Sequence, residues 1–376
     1  MAGIYIHIPY CKQACHYCNF HFSTDKGSIN EFVEALLTEI SLKAGAWQDE
    51  VFETIYFGGG TPSILSGNQI RSIIQALYNQ YNIASNIEQT IECNPDDLSI
   101  ALLKELKLCG FNRLSIGIQS FFDKHLQMMN RSHNQLQARN AIADASYAGF
   151  SNITIDLIYG LPDLSVDEWN KNLSIVQELQ VPHLSCYSLT IEERTALAHF
   201  VKQNKMKPAE DDLTIKQYHS LLQWSKQNRI NQYEISNFAK AGFESKHNSN
   251  YWNNQPYLGL GPSAHSYFQN TRTQNKPHNI QYIRRLLSGQ LPEMTTEVLS
   301  VKDTFNELLL TRLRTVNGLN RKQLLNFPIT FIDHFDALFP DFNKRGLIEY
   351  NQSNYVLTIE GQMLSDYIIS SLFVTD

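Results

Sequence analysis

The sequence predicts an α/β protein, an open and partial (β/α)6 barrel followed by a small winged-helix-like α+β domain. Short β-branched and aromatic runs alternate with stretches of helical periodicity up to about residue 195, the pattern of a parallel sheet with helices outside. Only six such units fit, too few for the closed eight-fold barrel. After residue 290 the pattern changes to helices followed by a hairpin. The expected divisions are residues 1–195 for the barrel, 196–290 for an extension and connecting region, and 291–376 for the C-terminal domain.

The first strand is the apolar run Gly3 to Pro9. Ser28 followed by Phe32, Val33, Leu36, Leu37 and Ile40 predicts a capped amphipathic helix. Thr54 to Phe57 is a second strand, ending in Gly58-Gly59-Gly60. Ser66-Gly67-Asn68-Gln69 is a capping box for a helix carrying Ile70, Ile73, Ile74 and Leu77. Strands then follow at 87–93, 113–117, 153–157 and 183–187. Helices alternate with them at 98–109, 134–148 and 165–178, the first two stopped by Gly110 and Gly149. Beyond residue 192 the pattern loosens, with a helix at 213–227, a strand at 232–235 and a turn-rich stretch at 258–265. In the tail, 305–314, 321–327 and 332–339 are helical, and 347–350 with 355–358 form a hairpin about a polar turn.

Composition narrows the function. At 376 residues with 43% apolar and 18% charged content, the chain has the balance of a globular protein. A net charge of −6 and a pI near 6.1 argue against a general nucleic-acid surface. No apolar run approaches a membrane span, and the N-terminus lacks the form of a signal peptide, so the cytoplasm is the expected compartment. Thiols stay reduced there and available for metal. Cys93, Cys109 and Cys186 lie among apolar neighbours as small core residues.

The other three cysteines cluster. Cys11, Cys15 and Cys18, spaced C-x3-C-x2-C just after the first strand, let one loop wrap a compact centre. Thiolates are the normal ligands of iron–sulfur clusters, and three on a four-iron cluster leave one iron open for chemistry. The same residues with His16 or His21 also suit a structural Cys3His zinc site, and a disulfide with a spare thiol is a third arrangement. The polar residues Glu92, Gln119, Asp156 and Ser188, with the glycines at 58–60, all fall at the C-terminal ends of strands, the edge where parallel α/β proteins bind ligands.

The run Tyr5-Ile6-His7-Ile8-Pro9-Tyr10-Cys11 with Cys15, Tyr17 and Cys18 resembles the opening of radical SAM proteins. Further matches are Gly58-Gly59-Gly60-Thr61-Pro62, Glu92-Cys93-Asn94-Pro95, residues 115–121 and residues 156–162. Together they are similar to the oxygen-independent coproporphyrinogen III oxidase group, and His247-Asn248-Ser249-Asn250-Tyr251-Trp252 fits the HNxxYW signature of its haem-chaperone branch. Two departures separate the chain from the oxidases: Phe20 stands where they carry a further cysteine, and the first strand begins at Gly3 without their long N-terminal arm.

The resemblance implies a radical SAM partial barrel with a [4Fe-4S] cluster on Cys11, Cys15 and Cys18, and S-adenosylmethionine chelating its open iron. It implies cofactor contacts from Tyr5, Tyr17, Gly59, Gly60, Thr61, Glu92, Gln119, Arg131 and Asp156, with Thr190 and the Ala264-His265 turn near the adenine or a second ligand. The chemistry of these types agrees. Carboxylates accept from ribose hydroxyls, an arginine fork holds a carboxylate, and glycines let backbone approach a ligand. His247, with Tyr251 and Trp252, is the candidate haem contact, against the plainer reading of a packed loop, and His7 is a competing ligand. The function expected is a haem chaperone, with haem as cargo, that delivers it to haemoproteins of respiration. A homodimer, an electron donor and transient membrane association are expected beside it, with no nucleic acid bound and no integral membrane segment. The alternatives are coproporphyrinogen III oxidation and a zinc-stabilised binding module.

Overall fold

In the computed structural model, which describes residues 2–375, six parallel strands carry the first half of the chain. They are β1 (Ala2–Ile8), β2 (Val51–Gly59), β3 (Asn82–Cys93), β4 (Arg113–Gln119), β5 (Asn152–Tyr159) and β6 (His183–Ser188), hydrogen-bonded in that order. One face of the sheet is apolar and buried, Ile4, Ile6, Ile55, Phe57, Leu114, Ile116, Ile155 and Leu157 having no exposed surface, while the alternate positions, Tyr5, Tyr56, Glu92, Ser115 and Asp156 among them, turn to the opposite face. The expected helices lie between them, at Ile29–Lys43, Gly67–Gln80, Ile100–Leu108, Gln135–Tyr147 and Val166–Glu178. Capping boxes at Ser66, Asn134 and Ser165 start three of these helices. Ser28 stands at the first helix start but makes no cap; its hydroxyl bonds Tyr10 Oη at 2.9 Å instead.

The sheet is wider than the sequence predicts. After β7 (Asn231–Glu234) and β8 (Asn237–Ala239), which pair antiparallel beyond β6, the chain crosses to the other edge. There β9 (Tyr257–Leu260) lies parallel to β1, followed by β10 (His265–Phe268), β11 (Thr271–Asn275) and β12 (Met294–Val298) as an antiparallel flank. Of the stretch expected to be turn-rich, residues 258–260 are strand and 261–264 form the turn from β9 to β10, and β1 is internal. A Cβ on Gly259 would stand 2.0 Å from the His265 carbonyl oxygen, and one on Gly261 2.4 Å from that of His7. Both glycines let backbones approach, Gly259 within β9 and Gly261, at φ 97°, in the turn that follows it. β12 carries the large sheet past residue 290, where the sequence placed the start of the terminal domain.

The tail has its own core of Phe305, Leu309, Phe335, Ile348 and Ile368. Helices Val301–Arg312 and Ile329–Lys344 pack with a small sheet of β13 (Leu319–Asn320), β14 (Ile348–Asn351) and β15 (Asn354–Leu357), the expected hairpin plus one short strand. Backbone bonds Ile235 N to Arg314 O (3.0 Å) and Val316 N to Tyr233 O (3.2 Å) tie this unit to the edge of the large sheet. Among the described residues, no helix is long and apolar enough to cross a membrane.

Candidate functional site

The thiol loop leaves β1 and is pinned from both sides. Cys11 N donates to Ser23 O (3.0 Å), Asn130 Nδ2 to Ala14 O (2.7 Å), and Leu197 N to His16 O (2.8 Å). Lys12 pairs with Asp96 and Asp97 at the end of β3. The loop therefore stands over the C-terminal ends of the strands, as the parallel sheet requires. Beneath it is a cavity of about 540 Å³, lined by Cys11, Cys15 and Cys18 together with Tyr17, Gly59, Gly60, Thr61, Glu92, Gln119, Arg131 and Asp156. Residues spread over 146 positions of sequence, from Cys11 to Asp156, thus face one space, and Thr190 lines it too.

Each strand end contributes by a local device. Gln119 closes β4 with φ of 65°, a left-handed backbone that is uncommon for a residue with a side chain. Arg131 is held by Asn94 Oδ1 and Gly117 O, each 2.8 Å from Nη2, while Nη1 stands 3.4 Å from Cys15 Sγ. Its Nε is buried with no hydrogen-bond partner among the described residues. Thr61 Oγ1 donates to Cys11 Sγ at 3.4 Å. Glu92 accepts from Tyr56 Oη (2.8 Å) and Gly59 N (3.2 Å), and Ser115 Oγ donates to Asp156 Oδ1 (3.4 Å). Burial raises the Glu92 carboxyl to about 7 and the Asp156 carboxyl to about 6, and the Asp156 charge raises Glu92 as well.

The glycine turn has a second role that its sequence does not reveal. A Cβ on Gly59 would sit 2.6 Å from the His7 ring, and one on Gly60 2.7 Å from Tyr10 O and 2.8 Å from Ile8 O. The missing side chains make room for β1 as well as for any ligand. Gly59 also has φ of 106°. Gly59→Ala is therefore expected to cost on the order of 2–4 kcal/mol. Gly242, at φ 85° with nothing within 4 Å of its Cβ position, should cost about 1 kcal/mol when changed to Ala. Urea unfolding of the two variants checks the difference, and equal costs would refute the His7 clash.

The donor set suits a cluster of several irons. Among the described residues, no three His, Cys, Asp or Glu side chains are placed to hold one metal ion. The thiols open around the mouth of a shared cavity instead, and a cubane cluster takes each thiolate on a different iron. His16 and His21, the candidates for a zinc ligand, are engaged elsewhere: Nδ1 of His16 donates to Met128 O (2.8 Å) and Nε2 of His21 lies 2.7 Å from Asn279 Oδ1. All six cysteines are free thiols. Cys93, Cys109 and Cys186 are buried, and Cys93, although in the cavity wall, turns its thiol to Ile91 O.

Tyr5 stands apart from this group. It lines a second cavity of about 530 Å³ with His7, His21, His247, Tyr251, Tyr257 and His265. The two cavities share only Asn19 and Phe20 of their lining residues, and Phe20 is 72% exposed. His247 begins not a loop but a helix, Lys246–Trp252, whose first amides donate to the buried Glu88 carboxylate at 3.0 and 3.1 Å. Its Nδ1 is 2.8 Å from Thr54 Oγ1, and its ring stacks on Tyr56 at 5.0 Å. A Cβ on Gly3 would lie 2.7 Å from that hydroxyl, so the absence of a side chain there admits the pair. Burial lowers the His247 imidazole to about 4, which keeps the ring neutral, and Nε2 has no hydrogen-bond partner among the described residues. His7 is also lowered to about 4 by burial, but both its nitrogens are engaged, Nε2 donating to His21 O (2.8 Å) and Nδ1 accepting from Tyr5 Oη (3.3 Å). Trp252 does not line the cavity; it packs edge-on against Tyr251 at 5.3 Å.

Sequence reasoning missed Asn94, Ser115 and Gly117 in the first cavity, although all three lie in motifs that were visible. It missed Tyr257, Arg272, Glu307 and Leu310 in the second, for which no local signal exists.

The profile of the radical SAM superfamily matches residues 5–174. The heme chaperone HemW of Bacillus subtilis is 33% identical over 99% of this chain and 99% of its own length. That of Lactococcus lactis is 31% identical, over 99% and 97%. Among solved structures, coproporphyrinogen III oxidase (HemN) from Escherichia coli superposes with a TM-score of 0.85, covering 99% of this chain and 90% of that one at 22% identity, a likeness of fold.

Proposed function

The chain belongs to the HemW heme chaperone family of the radical SAM superfamily, and from that membership we propose that it binds haem and delivers it to recipient haemoproteins. In this reading Cys11, Cys15 and Cys18 hold a [4Fe-4S] cluster, and the strand ends below them hold S-adenosylmethionine. Bound there, that pair supplies reductive cleavage of a sulfonium carbon–sulfur bond. Arg131 offers its fork to a carboxylate, and Glu92 and Asp156 accept from ribose hydroxyls, with Gln119 able to donate and accept beside them.

The observation that supports a carrier is the separation of the two cavities. A coproporphyrinogen oxidase must set its substrate's propionates beside the radical source. Here the neutral imidazole and its aromatic wall lie in a different cavity, behind Phe20 and Asn19. At about 530 Å³ that cavity is within the usual range for small-molecule sites, roughly 300–1,000 Å³. With Nδ1–H donating to Thr54 Oγ1, Nε2 of His247 presents its lone pair to haem iron, and Tyr251 presents its ring to the porphyrin.

The proposal extends to a cytoplasmic protein, soluble between transient encounters with membrane-bound respiratory recipients. An electron donor to the cluster and a homodimeric state complete it.

The test combines two assays on anaerobically reconstituted protein. Haem titration should saturate, with affinity reduced in His247→Ala. Incubation with reductant, S-adenosylmethionine and coproporphyrinogen III should leave the substrate unconsumed. Protoporphyrinogen formed over many turnovers, or haem binding that never saturates, would overturn the carrier reading.

A further inference from the structure

The second cavity is bordered by an ion pair whose partners come from two parts of the fold. Arg272 is on β11, in the flank of the large sheet, and Glu307 is on helix Val301–Arg312, the first helix of the C-terminal unit. They are salt-bridged, and Glu297 of β12 stands 3.8 Å from the same guanidinium. Of the residues that line this cavity, Arg272 is the one permanent cation and Glu307 the one carboxylate. Their side chains are 33% and 17% exposed, so the pair is partly withdrawn from water. Burial raises the Glu307 carboxyl above its ordinary value.

A continuous wall joins this pair to the imidazole. His247 and Tyr251 are one turn apart on the same helix face. The Tyr251 ring is 5.9 Å from that of Tyr257, and Tyr257, Tyr267 and Arg272 stand in one cross-strand row of β9, β10 and β11. Imidazole, two aromatic rings and guanidinium therefore follow one another along a single surface. That order matches a flat ligand with a metal at its centre and carboxylates at its edge.

We propose that Arg272 is the carboxylate subsite of this cavity, and that the ligand's carboxylate displaces Glu307 from it. The proposal rests on the haem reading above, since haem is the flat ligand with two propionates. A guanidinium fork pairs with one carboxylate as readily as with another, so the exchange leaves Arg272 satisfied. What changes is the C-terminal unit. Glu307 loses its partner on the large sheet, and the helix that lines the cavity loses one of its ties to it. The bond from Arg312 to Asn253 remains as a tether at the helix end. Cargo binding and loosening of this helix are then reciprocal: whatever pulls the helix away weakens the hold on Glu307 and leaves Arg272 free for the cargo.

The experiment compares haem with its dimethyl ester, which keeps the ring and iron but has no carboxylate. Both are titrated into the full-length wild type, Arg272→Gln and Glu307→Gln, each checked for native circular dichroism. The wild type should bind haem roughly tenfold tighter than the ester, the scale of a hydrogen-bonded charge pair. Arg272→Gln should lower haem to the ester's affinity and leave the ester unchanged. Glu307→Gln, which keeps the shape of the helix, should bind haem tighter than wild type because Arg272 has no competitor. An acid-to-ester ratio that is the same in wild type and Arg272→Gln would overturn the subsite while leaving the haem reading intact. If neither porphyrin binds the wild type, the haem reading fails, and this inference with it.

Discussion

Changing any one of Cys11, Cys15 or Cys18 to Ala is expected to reduce the iron held by anaerobically reconstituted protein roughly tenfold or more, from about four irons per chain. The three thiols come from one short loop, and no other cysteine is placed to replace them: Cys93 is in the wall with its thiol turned to Ile91 O, and Cys109 and Cys186 are buried elsewhere. The loss should be confined to the cluster. The cluster thiols are half-buried on a loop held by backbone bonds to Ser23 and Leu197, outside the apolar core. The thermal midpoint of the apoprotein should therefore change little. Cys93→Ala should keep its iron. Full iron loading in all three loop variants, or stoichiometric zinc without visible iron–sulfur absorption in the parent, would sink the assignment.

The second expected result is a pair of opposite effects from one substitution. Glu92→Gln and Asp156→Asn should each weaken S-adenosylmethionine binding roughly 5- to 150-fold, the loss of one buried hydrogen-bonding partner. The same changes should stabilise the apoprotein at pH 8. The sign follows from the direction of the shifts. Burial raises Glu92 from 4.5 to about 7 and Asp156 from 3.8 to about 6. Between about pH 4 and 7 the folded state then holds protons that the unfolded chain has released, so stability falls as pH rises through that window. Above it both carboxylates are charged in a poorly solvated place, at a cost on the order of 1–3 kcal/mol each. The amides remove that cost and should flatten the pH dependence of the thermal midpoint between 5 and 8. Gln119→Ala tests the binding half alone, because its side chain is neutral. Unchanged affinity in all three variants would place the cofactor elsewhere, and lower apoprotein stability in both amide variants would refute the electrostatic account.

The strands and helices of the first half were legible because each depends on residues within a few positions of one another. Apolar alternation gave β1 to β6, and Ser66, Asn134 and Ser165 gave their helix starts. The cluster cavity was legible for a related reason. In a parallel sheet all strand ends of one sense lie on one edge, so Gly59, Glu92, Gln119 and Asp156 converge once the strands are known. Ser28 shows the limit of local reasoning: the right residue stands at the helix start, but a better partner, Tyr10, takes its hydroxyl.

The sequence by itself determined the family, the six-unit parallel sheet and the thiol loop, all written in short spacings. Only the tertiary structure decided where Tyr5 points and what His247 faces. Tyr5 and His7 share one face of β1, and that face belongs to the second cavity because β9, from more than 250 residues later, lies against β1. Gly259 of β9 imitates a turn residue until the His265 carbonyl oxygen is seen 2.0 Å from its Cβ position. The histidine-lined cavity is assembled from β1, the helix at Lys246–Trp252, the β9–β11 flank and the helix at Val301–Arg312, so no window of sequence contains it. Long-range backbone approach built it, and such approach leaves no periodicity to read.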